Sequence, residues 1–429
     1  MRVAVLNAVL ANGGDAAIAL GLLRALRAAL GDALEAAVYD SLPDVTAPLY
    51  PELEVSPSPL RLAWTPEARG LAARGRRAAR WLASRRRLRR AADALGGGRT
   101  GAARRLAGEA GYGVLADLAG ADLVVSTGGT YLVEHYWLGP RLLELDLVRR
   151  LRRPLVLFTQ SLGPFRKRGV RRALRRLLPY ARLVLVRDER SARHVRDVAP
   201  EARVAVAADA AFALADPGVL AEARARVLPE GRPLRVGVSV RDWPHFQTTT
   251  AEEGMRRYRA SVAALVTHLV RARGAEVRFF STCQGLPAYR FDDARVAAAI
   301  AGEMPDDVRR RVEVVTAYLR PERTMAEAAR CDLVVATRMH AAILALCAGT
   351  PVLPIAYEFK TREVFGRLGV EAWVQEIEGV TPEGLVEAAE GVLAALPAAR
   401  AGLFARVEAE RADAMAAGAR VVEALGGRP

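Results

Sequence analysis

The chain has 429 residues, 52% of them apolar, and a formal net charge of +15. That length exceeds one ordinary core and predicts two domains, while the apolar content excludes a disordered or fibrous polymer. The charge is local. Between Arg61 and Arg105 fourteen Arg stand against Glu67 and Asp93, so the basicity belongs to one insertion rather than to the whole surface.

The N-terminus, MRVAVLNAVL, lacks a signal peptide's layout and runs straight into a strand at Arg2 to Leu6. A turn at Asn12-Gly13-Gly14-Asp15 and a helix carrying Ile18, Leu22, Leu23 and Leu26 follow. A strand near Ala36 to Tyr39, a Pro-rich loop through Pro59 and a basic helical stretch from about Pro66 to Leu95 come next. After the break at Gly96-Gly97-Gly98, a further helix ends near Gly120. Strands are then expected at Asp122 to Ser126, Pro154 to Thr159, Leu183 to Val186 and Val204 to Ala207, with helices between them. Leu228 to Pro233 reads as a linker. A second series has strands at Arg235 to Val240, Glu276 to Ser281, Val312 to Val315, Leu333 to Ala336 and Val352 to Ile355. Ala-rich helices from about Pro382 to Leu425 close the chain. Strands and helices alternating at this spacing predict an α/β protein with two Rossmann-like, doubly wound parallel sheets facing a cleft. The expected bodies are 1–228 with the basic insertion at about 61–105, 234–380, and the helices of 381–429. No stretch of about 18 residues is free of charge, so no membrane span is expected. Cys283, Cys331 and Cys347 are odd in number without a CxxC pair, which suits reduced thiols in the cytoplasm.

The stretch from Cys331 to Lys360 is the most informative. A buried β-branched strand runs into a helix that Thr337 is expected to cap, with Met339, Ile343, Leu346 and Cys347 as its apolar stripe. Arg338 and His340 fall in the first turn of that helix, where free N–H groups already favour an anion. Arg187, Arg241 and Lys360 also lie just beyond strand ends, so the five side chains together point to a small polyanion. Asn12, Gly14 and Asp15 form a glycine turn after the first strand. Gly128-Gly129 and Gln160-Ser161 sit in hydroxyl-bearing loops suited to a sugar or phosphate. No cluster suggests a metal.

With these motifs in hand, the chain resembles the polysaccharide pyruvyl transferase family, and within it the colanic-acid-type ketal pyruvyltransferases. The resemblance is carried by NGGDAA, STGGTYLVE, QSLGPF, RDERS, DAAF, STCQG with FDDARVA, and above all TRMHAAI with PIAYEFK. The chain departs from the family pattern at Thr130, where a third glycine is common, and at Thr159, where a glycine often precedes Gln160. The resemblance implies a fold similar to B-type glycosyltransferases, with the C-terminal domain binding the donor and the N-terminal one the acceptor. It implies phosphoenolpyruvate as donor substrate, no cofactor, and a sugar acceptor that in this family is often carried on a polyprenyl diphosphate. On that basis Arg187, Arg338 and Lys360 are assigned to the donor's anionic groups, with Arg241 beside them. His340 is the expected proton donor or phosphate stabiliser, and Asp15 a base or acceptor contact. Asn12, Gly14, Gly128, Gly129, Gln160 and Ser161 complete the expected substrate-binding set. A nucleotide-sugar-dependent glycosyltransferase is the alternative, and a basic membrane- or nucleic-acid-binding protein without catalysis the second alternative. The Arg74 to Arg90 stretch favours peripheral contact with the inner face of the membrane over nucleic acid. A homo-oligomeric state is left open by the sequence.

Overall fold

The computed structural model describes residues 1–62, 71–134, 136–228 and 231–426. Part of the expected linker (229–230) and part of the basic insertion (63–70) therefore lie outside the described residues. Two compact α/β units are present, and neither is continuous in sequence. Unit 1 comprises 1–10, 18–210 and 413–429; unit 2 comprises 11–17 and 211–412. The changes from one unit to the other at 210–211 and at 412–413 fall ahead of the expected linker and within the C-terminal helix.

Unit 1 contains β1 (Arg2–Ala8), β2 (Glu35–Asp40), β3 (Glu54–Pro57), β4 (Leu123–Ser126), β5 (Gly129–Leu132), β6 (Leu155–Leu162), β7 (Leu183–Val186) and β8 (Val204–Val206). Their order is β3-β2-β1-β4-β6-β7-β8, all pairs are parallel, and β5 pairs with β6 beyond β4. The central strands are covered on both faces, which is why β4 and β6 read as unbroken buried runs rather than alternating ones. The insertion forms two helices, Leu71–Gly96 and Thr100–Gly120. Leu88, Ala91 and Ala92 of the first, with Leu115 and Leu118 of the second, join the main core of the unit.

Unit 2 contains β9 (Arg235–Ser239), β10 (Glu276–Phe279), β11 (Val312–Val314), β12 (Leu333–Ala336), β13 (Val352–Ala356) and β14 (Gln375–Glu376). They lie in the order β11-β10-β9-β12-β13-β14, all parallel. The order reverses between β9 and β12, which makes their C-terminal ends the switch point where a doubly wound sheet opens a crevice. Both units are thus doubly wound, as the alternation of elements predicts.

Four local expectations are corrected. Gln160 and Ser161 belong to β6 rather than to a loop, because a register shift after Leu157 lets the strand continue to Leu162. Gly129 and Thr130 likewise belong to β5. Thr337 does not cap the helix Met339–Cys347; Arg338 holds that position, and the Thr337 hydroxyl lies 2.7 Å from the buried Tyr258 hydroxyl. The C-terminal helices are a single helix, Pro382–Ala424. That helix is long and apolar enough to cross a membrane by length and composition, yet Leu385, Ala389, Val392 and Leu396 are spent in the core of unit 2.

Candidate active site

The C-terminal ends of β9 and β12 are tied together: the Thr337 N–H donates to the Ser239 carbonyl at 2.8 Å. The backbone then turns through Arg338, whose extended conformation starts the helix, so Met339 enters the core while the side chains on either side point elsewhere. Arg338 is mostly covered. Its Nε and Nη2 donate to the two oxygens of Asp293 at 2.8 and 2.7 Å. Asp293 is only 2% exposed and also accepts from the Ser281 hydroxyl. A fork locked by a buried carboxylate cannot offer the same edge to a ligand, which leaves the Nη1–Nη2 edge for one.

The Asn12-to-Asp15 turn packs within unit 2 against this group. The Gly13 N–H donates to the Thr282 carbonyl at 2.7 Å, and the Asn12 side chain accepts the Gly14 N–H at 2.9 Å while reaching the Tyr289 hydroxyl at 3.4 Å. A Cβ at Gly14 would stand 2.8 Å from Nδ1 of His340, and one at Gly13 would stand 3.1 Å from the carbonyls of Leu319 and Thr282. Both glycines are therefore required by close approach, and Gly14 lays its backbone on the imidazole. Asp15 follows directly. Cys283 lies among these groups: burial pushes its thiol up to about 12, with Arg338, Asp293, Asp15 and Arg241 acting on it from around. It stays protonated at neutral pH. Burial raises the Tyr289 phenol likewise.

Arg241, just past β9, stacks its guanidinium 3.9 Å from the Tyr357 ring centroid and 4.8 Å from that of Trp243. Lys360 lies on the same tyrosine, 5.6 Å from its centroid, and pairs with Glu358 at 2.6 Å. Unit 2 thus gathers Asn12, Gly14, Asp15, Arg241, Arg338, His340 and Lys360. Three permanent cations, an imidazole and a carboxylate at a switch point suit a compact anion and a proton transfer.

Arg187 belongs to unit 1. Its Nη1 pairs with Asp209 at 2.5 Å, Nε and Nη2 donate to the Ser161 hydroxyl at 3.2 and 2.9 Å, and Nη2 reaches the Thr130 hydroxyl at 3.2 Å. Gln160 is fully buried and donates to the Ser126 hydroxyl at 2.8 Å and the Thr127 carbonyl at 3.0 Å. Gly128 abuts Ile18 and Thr159, and Gly129 has a positive φ beside Tyr131. These side chains brace the strand ends of unit 1. Sequence reasoning did not select Asp293, Thr282, Tyr289, Trp243 or Tyr357, although FDDARVA and the DWP after Arg241 were the available signals.

The sequence matches the family model for polysaccharide pyruvyl transferase over residues 12–358. It is 24% identical over 277 residues to the amylovoran biosynthesis protein AmsJ of Erwinia amylovora, a match covering 63% of this chain and 65% of that protein. The chain therefore spans slightly under two thirds of that relative's length. Among solved structures it is similar to one described as a UDP-N-acetylglucosamine 2-epimerase of Listeria monocytogenes, with a TM-score of 0.58, 14% identity and coverage of 99% and 95% of the two chains. Anabaena HepE in complex with UDP-glucose gives a TM-score of 0.54 and 14% identity over the whole of both chains. At these identities the likeness is one of fold, that of the B-type glycosyltransferases and related epimerases.

Proposed function

The chain belongs to the polysaccharide pyruvyl transferase family, and from that premise we propose that it moves the enolpyruvyl group of phosphoenolpyruvate onto sugar hydroxyls of a polysaccharide precursor, forming a pyruvate ketal. The observation that carries this reading is the group in unit 2, where Asp293 aims Arg338 and Tyr357 flanks Arg241 and Lys360, with His340 and Asp15 beside them. A carboxylate and a phosphate on a three-carbon frame require several fixed cations, and a fixed geometry converts binding into rate.

His340 gives a proton to C3 of the donor, leaving an oxocarbenium-like centre at C2. A sugar hydroxyl adds there with loss of its proton to Asp15, the C2–O bond to phosphate breaks, and a second hydroxyl closes the ring as its proton passes to the released phosphate. One phosphate is released per ketal. Arg338, Arg241 and Lys360 take the charge that grows on the departing phosphate. The sugar is a lipid-linked or free oligosaccharide, the class of acceptor the family implies.

Incubating the protein with labelled phosphoenolpyruvate and lipid-linked or free oligosaccharides of an exopolysaccharide-producing lysate tests the reading. The expected result is a labelled glycan with stoichiometric phosphate release, lost in His340→Ala and in Arg338→Ala. Undiminished turnover in both variants, or thermal stabilisation by UDP- or GDP-sugars with none by phosphoenolpyruvate, would overturn it.

A further inference from the structure

Unit 1 holds a cavity of about 570 Å³ between the basic helix Leu71–Gly96, the segment 136–139 and the helix Arg168–Leu177. Its cations are Arg85, Arg89, Lys167, Arg172 and Arg176, and its one acid, Glu134, is taken by the Lys167 N–H at 2.8 Å. Arg89 and Arg176 share the buried Asp146, whereas Arg85 and Arg172 have no ion pair among the described residues. The rim is apolar. Trp137 at 56% and Tyr136 at 53% exposure line it, and Leu82 at 48% precedes Arg85 by about one turn on the same helix. Trp81 meets Trp137 edge to face with centroids 4.9 Å apart, which braces the exposed indole on the basic helix.

We propose that this face of unit 1 docks on the surface of an anionic lipid bilayer. Exposed Trp and Tyr flanked by Arg are the side chains that lodge at a headgroup layer, rings among the acyl boundary and guanidinium groups on lipid phosphates. A nucleic acid would use the same charges and could stack on the two rings, but it has no use for Leu82, and a bilayer has. Arg85 and Arg172 line the cavity and can take headgroup phosphates without breaking an ion pair among the described residues. The helix itself carries too few large apolar residues for deep insertion, since Leu88 is spent in the core; the segment 136–139, with Tyr136 and Trp137, provides what the helix lacks. The inference stands on unit 1 and is independent of the reaction proposed for unit 2.

Flotation of the full chain with vesicles tests it. With phosphatidylcholine vesicles containing about a quarter phosphatidylglycerol the protein is expected to float, and with pure phosphatidylcholine to stay at the bottom. Arg85→Glu with Arg172→Glu should cut the floated fraction roughly tenfold at ~0.1 M salt. Trp137→Ser with Tyr136→Ser should cut it severalfold while the folded-state circular dichroism is kept. The wild-type tryptophan emission should shift to the blue on adding anionic vesicles, and Trp137→Phe should lose that shift. Failure to float with anionic vesicles, or floated fractions unchanged in both double variants, would overturn the proposal. So would Arg85- and Arg172-dependent binding of single-stranded RNA or of inorganic diphosphate by a protein that ignores vesicles.

Discussion

Arg338 presents one edge of its guanidinium to Asp293, at 2.8 and 2.7 Å, and Asp293 is almost wholly buried. A carboxylate so placed can act on a ligand only by fixing the direction in which Arg338 points.

Asp293→Asn is therefore expected to keep the shape of the pocket while losing one of the two charge-assisted bonds. Turnover should fall about 100-fold, with a raised KM for phosphoenolpyruvate, because a displaced guanidinium costs on the order of that much in alignment. Asp293→Ala leaves a buried cation uncompensated and should also cost about 3–5 kcal/mol of stability. Separate kcat and KM measurements decide the point: a thermally weakened enzyme with an unaltered KM would make Asp293 a structural residue only.

Gly14 and Gly13 are expected to separate by what each faces. A methyl at Gly14 would stand 2.8 Å from Nδ1 and 2.9 Å from Cβ of His340, so that the whole histidine must move, whereas at Gly13 it would stand 3.1 Å from two backbone carbonyls. Gly14→Ala should retain the fold and lose activity with the histidine displaced. Gly13→Ala should destabilise by about 1–3 kcal/mol, the usual cost of overpacking. Thermal melts beside turnover assays distinguish the two patterns.

The sequence made the two parallel sheets legible because buried β-branched runs alternate with helices at short spacing, and it made Arg338 and His340 legible because a strand-to-helix turn is local. What it hid was pairing at a distance. Asp293 lies 45 residues from Arg338, and its acidic neighbour Asp292 is an ordinary helix cap. The Asn12-to-Asp15 turn reads as the start of a helix in the first sheet, yet its contacts are with Thr282, Leu319 and His340, so residues 11–17 belong to unit 2. Arg187 follows a strand just as Arg338 does, and only folding reveals that Asp209, Ser161 and Thr130 occupy its donors. Tyr136 and Trp137 carry no sequence signal of their own, and their exposure became evident only with the fold.

Thr159 is expected to be a place where the chain gains from substitution. Its φ of 43° lies in the left-handed region, which a β-branched residue adopts at a cost, and its buried hydroxyl has no hydrogen-bond partner among the described residues. Thr159→Val removes the orphaned hydroxyl and keeps the strain, so Thr159→Gly should stabilise unit 1 beyond Thr159→Val by about 1 kcal/mol. Urea unfolding followed through tryptophan emission measures the difference, and a destabilised glycine variant would show the strain to be absent.

Asp146 is expected to govern the acid limit of unit 1. Its side chain is inaccessible to solvent and lies 2.7 Å from Arg89, 3.0 Å from Arg149 and from Arg150, and 3.8 Å from Arg176. Burial opposes its charge, but the hydrogen bonds of Arg150 and Arg149 and the nearby charges outweigh that and hold the carboxyl below its ordinary range. A carboxyl whose folded-state value is depressed contributes stability above its unfolded value, near pH 4, and loses that contribution as the pH falls through the folded value. Asp146→Asn should therefore lower stability at neutral pH and flatten the dependence below about pH 4. Three helices depend on the one carboxylate, since Arg89, Arg149 with Arg150, and Arg176 come from Leu71–Gly96, Gly139–Arg150 and Arg168–Leu177 respectively. Hydrogen exchange across those helices, compared between neutral pH and pH 3, should show protection lost together in the wild type and already reduced at neutral pH in the variant. A variant as protected as the wild type at both values would remove Asp146 from that role.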